Sequence, residues 1–188
     1  MTTALYPAFL KLAGLPVVVV GGGPVAASKL DGLIAAGAHV TVIAPDVVPA
    51  IRNRVTVVEE RFRAAHLDGA RWVVAAATPE VNREVAAAAA ARGLFVNAVD
   101  DPAVATAYLG GVVRRGPVEI AISTGGLAPA LAGLLREALE ALLPDEVELW
   151  IEVARSERAA WKRARVPLGE RRPLLLRALD RLYAGASL

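Results

Sequence analysis

The sequence predicts an α/β fold built on a doubly wound parallel sheet, and three observations carry that prediction. Short apolar, β-branched runs recur along the first hundred residues, beginning with Leu15-Pro-Val-Val-Val-Val. Alanine- and leucine-rich stretches of helical length separate several of them. A glycine cluster, Gly21-Gly22-Gly23, stands where the first run hands over to the first helix. Strands that read as continuous apolar runs are buried on both faces, and strands joined through helices form parallel sheets with right-handed crossovers.

Each element follows in order. Leu15 to Gly21 is a buried strand, and Pro24 to Ala36 is a helix stopped by Gly37. His39–Ala44 is the second strand and Arg54–Glu59 the third. A short turn near Leu67 leads to a fourth strand, Arg71–Ala77. Pro79 to Ala91 is an alanine-rich helix closed by Arg92-Gly93, and Leu94–Val99 is the fifth strand. Tyr108 to Ser123 then reads as two strands around a turn at Gly116-Pro117. Ser123-Thr-Gly-Gly leads to Pro129, placed for the first turn of a helix that reaches Leu143 before Pro144. Leu131, Leu134, Leu135, Leu139 and Leu142 share one face of it. A helical region covers Asp145–Arg165, and a last helix runs from Glu170 to Tyr183 and ends at Gly185.

Composition narrows the function. The 188 residues are 55% hydrophobic and 21% charged, too apolar for a disordered chain. There is no cysteine, which excludes disulfide staples, a thiol nucleophile and an iron–sulfur cluster. The mean hydropathy of +0.46 calls for a membrane check. No run approaches the ~20 apolar residues of a span, and the start lacks a basic segment followed by an apolar one. A cytoplasmic protein without a membrane partner is expected. His39 and His66 are isolated, so no metal site is expected.

Charge is unevenly spread. Residues 1–150 hold 12 basic and 15 acidic side chains, whereas residues 151–188 hold 9 and 4. A basic tail meets an anion or is a solvated helix face. It has no helix-turn-helix spacing, so nucleic acid is not the expected partner.

Gly21, Gly23 and Ala26 fit G-x-G-x-x-A between a strand and a helix. The first glycine permits the turn, the second lets the backbone approach a pyrophosphate, and the small third residue packs helix on strand. The helix N-terminus offers free N–H groups to phosphate. This is a dinucleotide-binding corner of Rossmann type. Asp46 follows the second strand, where a carboxylate holds the adenosine ribose. No arginine precedes Arg52, so NAD is expected rather than NADP. A polar turn after Pro45 is the plainer role for Asp46.

An ordered set of motifs runs through the chain. It comprises Tyr6-Pro-Ala-Phe-Leu10, Val20-Gly-Gly-Gly-Pro-Val-Ala-Ala-Ser-Lys29, Thr41-Val-Ile-Ala-Pro45, Ala76-Ala-Thr78, Val81-Asn82, Asn97-Ala-Val-Asp100, Ile122-Ser-Thr-Gly-Gly126, Pro129 and Leu134-Leu-Arg-Glu137. Together they resemble the precorrin-2 dehydrogenase / sirohydrochlorin ferrochelatase family, the dehydrogenase–chelatase module of siroheme synthase, from about Tyr6 to Leu143. The resemblance implies NAD-dependent oxidation of precorrin-2 to sirohydrochlorin in siroheme synthesis. Some members also insert ferrous iron, as a substrate. It further implies a homodimer, with residues 1–112 as the NAD-binding domain, 113–146 as a dimerisation segment and 147–188 as a small helical domain. The motifs resemble only the dehydrogenase–chelatase module, so no methyltransferase chemistry is expected of these residues.

The resemblance also implies roles. Asp100, after the fifth strand, would be the acid–base residue, where a polar turn is the plain alternative. Gly21, Gly23, Pro24, Val25, Pro45, Asp46, Thr78 and Asn97 would hold the cofactor, with strand-end capping the alternative for Thr78 and Asn97. Ser123, Thr124 and Gly125 would offer hydroxyl and N–H groups to a substrate carboxylate. Arg114, Arg115 and the basic tail would meet the eight carboxylates of the tetrapyrrole. The competing class is an NAD-binding sensor or regulatory module without catalysis.

Overall fold

The structure, a computed structural model, describes residues 4–184. It divides into two compact units, Met1–Leu109 and Gly110–Leu188.

The first unit is a five-stranded sheet: β1 (Pro16–Val20), β2 (His39–Ile43), β3 (Thr56–Val58), β4 (Trp72–Ala75) and β5 (Val96–Ala98), in the order β3-β2-β1-β4-β5. Every pair is parallel. The helices are α1 (Pro24–Ala35) and α2 (Pro79–Ala90), with one 3-10 turn at Ala64–Leu67. The strand pleat explains the two cores. Val17 and Val19 of β1 face α1 with Leu30, Val42 and Val74, while Val18 and Val20 face Val85 and Ala89 of α2. Burying such a side chain stabilises the fold by roughly 1.5–3 kcal/mol. The third strand is shorter than the expected Arg54–Glu59, because it lies at the sheet edge and pairs with β2 over three residues only.

The free edge of β5 is covered by its own chain. The N–H groups of Thr106 and Ala107 both donate to the Val96 carbonyl, and the Val96 N–H donates to Thr106 Oγ1 at 2.8 Å. Covering an edge in this way removes a template for unwanted strand pairing.

The second unit holds an antiparallel hairpin, β6 (Gly111–Arg115) and β7 (Val118–Ile122), and the helices α3 (Pro129–Leu142), α4 (Val147–Arg163) and α5 (Leu168–Ala184). Gly116, with φ +52°, makes the hairpin corner. Helix α3 packs closely on β6, where a Cβ on Gly111 would stand 3.1 Å from the Ala132 carbonyl. Helices α4 and α5 pair, and Trp150 Nε1 donates to Tyr183 Oη at 2.7 Å. The last helix starts two residues before the expected Glu170, because the Glu170 N–H finds the Pro167 carbonyl and extends the first turn. The expected stop at Gly185 lies outside the described residues. No helix among those described is long and apolar enough to cross a membrane.

Candidate functional site

The register aligns the carboxyl ends of four strands on one edge. Val20 pairs with Ile43 and with Ala75, and Ala75 pairs with Ala98. The turns that follow therefore emerge side by side: Gly21–Gly23, Ala44–Asp46, Ala76–Thr78 and Val99–Asp100. Chain order reverses between β1 and β4, and a crevice forms at such a switch point.

The glycine corner fits a dinucleotide. Gly21 has φ +125°, and a Cβ there would stand 2.2 Å from the Ala76 carbonyl oxygen. Gly23 is the N-cap of α1, with extended backbone, no capping side chain and open space where a Cβ would lie. The first turn of α1 has no acidic residue, and Pro24 opens it. The N–H groups of Val25 and Ala26 precede the first intrahelical bond, from the Ala27 N–H to the Gly23 carbonyl, and no carboxylate of this turn would oppose an anion there. Ala26 is fully buried and sets α1 against β1. Val25 is partly exposed beside this corner. Sequence reasoning passed over Gly22. A Cβ there would stand 1.9 Å from the Asp46 carbonyl oxygen, and the Gly22 carbonyl accepts the Val48 N–H at 2.8 Å. The signal was the run of three glycines where the motif needs two.

At the end of β2, Pro45 and Asp46 are exposed. Asp46 Oδ1 accepts the Val47 N–H at 2.8 Å. Arg52, distant in the sequence reading, reaches the same oxygen at 3.3 Å and Glu59 Oε1 at 2.6 Å. A guanidinium flanked by two carboxylates is not free to meet a phosphate.

Thr78 is the exposed N-cap of α2. Its hydroxyl and the backbone N–H of Glu80 hold the Glu80 carboxyl below its ordinary value, the backbone bond being the larger cause. Asn97 is buried, and its Nδ2 donates to the Ala107 carbonyl at 3.0 Å, so this donor fastens the segment covering β5. A second buried amide, Asn82, bridges the turns after β4 and β5. Its Oδ1 accepts the Ala77 N–H at 2.9 Å, and its Nδ2 donates to the Val99 carbonyl at 3.4 Å. The sequence reading gave it no role, although a lone amide beside Val85, Ala86 and Ala89 was the available sign.

Asp100 is exposed and has φ +57°, a left-handed conformation that costs an L-residue energy and recurs at functional corners. The Asp101 carbonyl accepts the N–H groups of Val104 and Ala105, and Tyr108 Oη donates to the Pro102 carbonyl at 3.2 Å. The loop carrying Asp100 is thus bonded shut on itself. β4 alone separates β5 from β1, which puts Asp100 about 10 Å, two strand spacings, along the edge from the glycine corner.

In the second unit, the N–H groups of Gly125 and Ala128 donate to Ser123 Oγ and Thr124 Oγ1, each at 3.1 Å. Those N–H groups, expected to meet substrate, are consumed within the loop, and the two hydroxyl protons remain to donate. Arg114 Nε pairs across the hairpin with Glu119 at 2.8 Å. Arg115 pairs with Asp145 at 2.8 Å and donates to the Glu140 carbonyl, with its Nε buried. Its guanidinium ties the hairpin to the helices.

Comparison with known proteins agrees with this architecture. A family model described as "Putative NAD(P)-binding" matches residues 8–111, and one described as "Sirohaem biosynthesis protein central" matches residues 115–142. Siroheme synthase 2 of Aeromonas hydrophila is 43% identical over 176 residues, covering 92% of this chain and 37% of the relative. Siroheme synthase 1 of Aeromonas salmonicida is 42% identical over 185 residues, covering 94% and 39%. The chain therefore spans well under half the length of these curated relatives. The solved structure of SirC, precorrin-2 dehydrogenase, matches with a TM-score of 0.72 at 25% identity, over 95% of this chain and 92% of that one. None of these names points to a sensor. By sequence and by fold, this chain belongs to the NAD(P)-binding family of siroheme biosynthesis, the family of siroheme synthase dehydrogenase modules and of precorrin-2 dehydrogenase.

Proposed function

We propose that the chain oxidises precorrin-2 to sirohydrochlorin with NAD. The observation that carries this reading is the pairing, on one sheet edge, of an uncapped glycine corner with a left-handed aspartate two strands away. Gly21, Gly23, Pro24 and Val25 would hold the pyrophosphate, and Pro45 and Asp46 the adenosine side. Thr78 would border the nicotinamide end. Asn97 would act through the loop that it fastens. Bound NAD supplies the hydride acceptor. The reaction removes a hydride and a proton from the reduced macrocycle, and the Asp100 carboxylate takes the proton.

The second unit would supply substrate contacts. Ser123 and Thr124 donate hydroxyl protons to a carboxylate, Gly125 shapes their loop, and Arg114 and the basic tail add charge-assisted bonds. Arg115 would contribute through the hairpin that it anchors. Leu127, Leu134 and Leu142 are among the most exposed large apolar side chains of this unit, and a second copy of the chain is the cover proposed for them.

Anaerobic incubation with precorrin-2 and NAD, followed at the NADH absorbance with and without ferrous iron, tests the reading. Stoichiometric NADH is expected, abolished by Asp100→Asn with NAD affinity retained. NAD binding without turnover would overturn it in favour of a non-catalytic module. Iron-dependent conversion of sirohydrochlorin would add ferrochelatase activity.

A further inference from the structure

We propose that Asn82 is a positioning residue whose buried carboxamide locks the turn after β4 to the turn after β5 and so fixes the orientation of Asp100. The inference rests on the dehydrogenase reading given above and adds a residue to it.

Asn82 lies in the first turns of α2 and is 2% exposed. Its backbone N–H donates to the Thr78 carbonyl at 2.8 Å, so its main chain is ordinary helix and its side chain is free to reach outward. Asparagine is a poor helix-interior residue, and a buried amide costs energy unless its groups are bonded. Both ends are bonded to backbone beyond the helix: Oδ1 to the N–H of Ala77, Nδ2 to the carbonyl of Val99. No local demand of α2 calls for either bond.

The Val99 contact matters because of the residue that follows. The plane of the Val99–Asp100 peptide sets φ of Asp100, which is +57°. A left-handed non-glycine residue persists only where its surroundings determine it. Four bonds do so here. The Val99 N–H donates to the Ala75 carbonyl at 2.9 Å, the Val99 carbonyl accepts from Asn82, and the Asp101 carbonyl accepts from Val104 and Ala105. Of these, only the Asn82 bond comes from a side chain. The same carboxamide holds the Ala77 N–H, so one side chain links the turn after β4 to the residue before the aspartate. One amide therefore sets the aspartate in register with the cofactor.

Asn82→Asp keeps the acceptor for Ala77 and removes the donor to Val99. Asn82→Ala removes both, and Asn82→Ser replaces Asn82→Asp should the latter not fold. The full chain is measured for NAD affinity, for kcat and KM with precorrin-2, and for amide exchange at Ala77, Val99, Val104 and Ala105. For Asn82→Asp, kcat is expected to fall about tenfold or more while KM and NAD affinity stay within about threefold. Exchange at Val99, Val104 and Ala105 should quicken by about tenfold while Ala77 stays protected. Asn82→Ala should also release Ala77 and weaken NAD. Wild-type kcat in Asn82→Asp, or faster exchange spread evenly over α2 and the sheet, would overturn the proposal and leave Asn82 as plain packing. Were the wild-type chain to bind NAD but not oxidise precorrin-2, the dehydrogenase reading would fail. The exchange pattern would still decide the coupling between the two turns.

Discussion

The carbonyl oxygen of Asp46 occupies the place where Gly22 would carry a side chain, and a Cβ there would stand 1.9 Å from it. Two loops from neighbouring strands thus meet backbone to backbone, and only glycine permits the contact. Gly23, one residue on, meets nothing within 4 Å and has φ −87°. The two alanine variants should therefore part company. Gly22→Ala should destabilise the chain by about 1–3 kcal/mol, because backbone must move. Gly23→Ala should fold with a Tm near wild type and bind NAD about tenfold more weakly, because its Cβ enters the space left for the pyrophosphate. Thermal melts and NAD titration separate the effects, and unchanged affinity in Gly23→Ala would remove the pyrophosphate from this corner.

Arg52 lies between Asp46 and Glu59, 3.3 Å and 2.6 Å away. Two carboxylates around one cation leave a net negative edge that repels a 2′-phosphate. The double substitution Asp46→Ser with Glu59→Gln should free the guanidinium. The ratio of kcat/KM for NADP over NAD should then rise by about tenfold or more. An unchanged ratio would place the adenosine ribose elsewhere.

The neighbouring arginines of the hairpin should respond differently. Arg115 holds Asp145 and the Glu140 carbonyl, so Arg115→Ala should destabilise the second unit by about 1–3 kcal/mol. Arg114 makes an exposed cross-strand pair with Glu119, and its loss should cost less than about 1 kcal/mol. A rise in KM for precorrin-2 in Arg114→Ala with stability kept would support its substrate role, and denaturant melts beside steady-state kinetics measure both.

Glu80 stands at the N-terminus of α2, and its carboxyl lies below the ordinary value of 4.5 through its backbone bond, Thr78 and Arg83. A lowered carboxyl stabilises the fold when charged. Its contribution should be complete above pH 4.5 and should fade as the pH falls through the lowered value. The difference in stability between wild type and Glu80→Gln should shrink on acidification through that window, and a pH-independent difference would refute it.

Much of the fold was legible in the residues. Leu15–Val20 is too apolar to face water on either side, so it reads as a central strand, and β1 is central. The glycine corner follows it directly, so the tight turn from β1 into α1 was legible as well. The same reading missed Gly22, Asn82 and Arg52. The acceptor that crowds Gly22 is 24 residues along the chain, and the carbonyl that Asn82 bonds is 17 residues away. Nor did it foresee the pairing of Arg115 with Asp145, 30 residues on.

By itself the sequence determined the elements, their parallel arrangement and the tight glycine corner between β1 and α1, because periodicity, β-branching and turn residues act over a few neighbouring positions. The tertiary structure alone decided which buried amide binds which loop, which carboxylates surround Arg52, and that Asp100 is held left-handed. Those outcomes depend on hydrogen bonds and close contacts between turns that come together only when the strands pair, and no local preference encodes them.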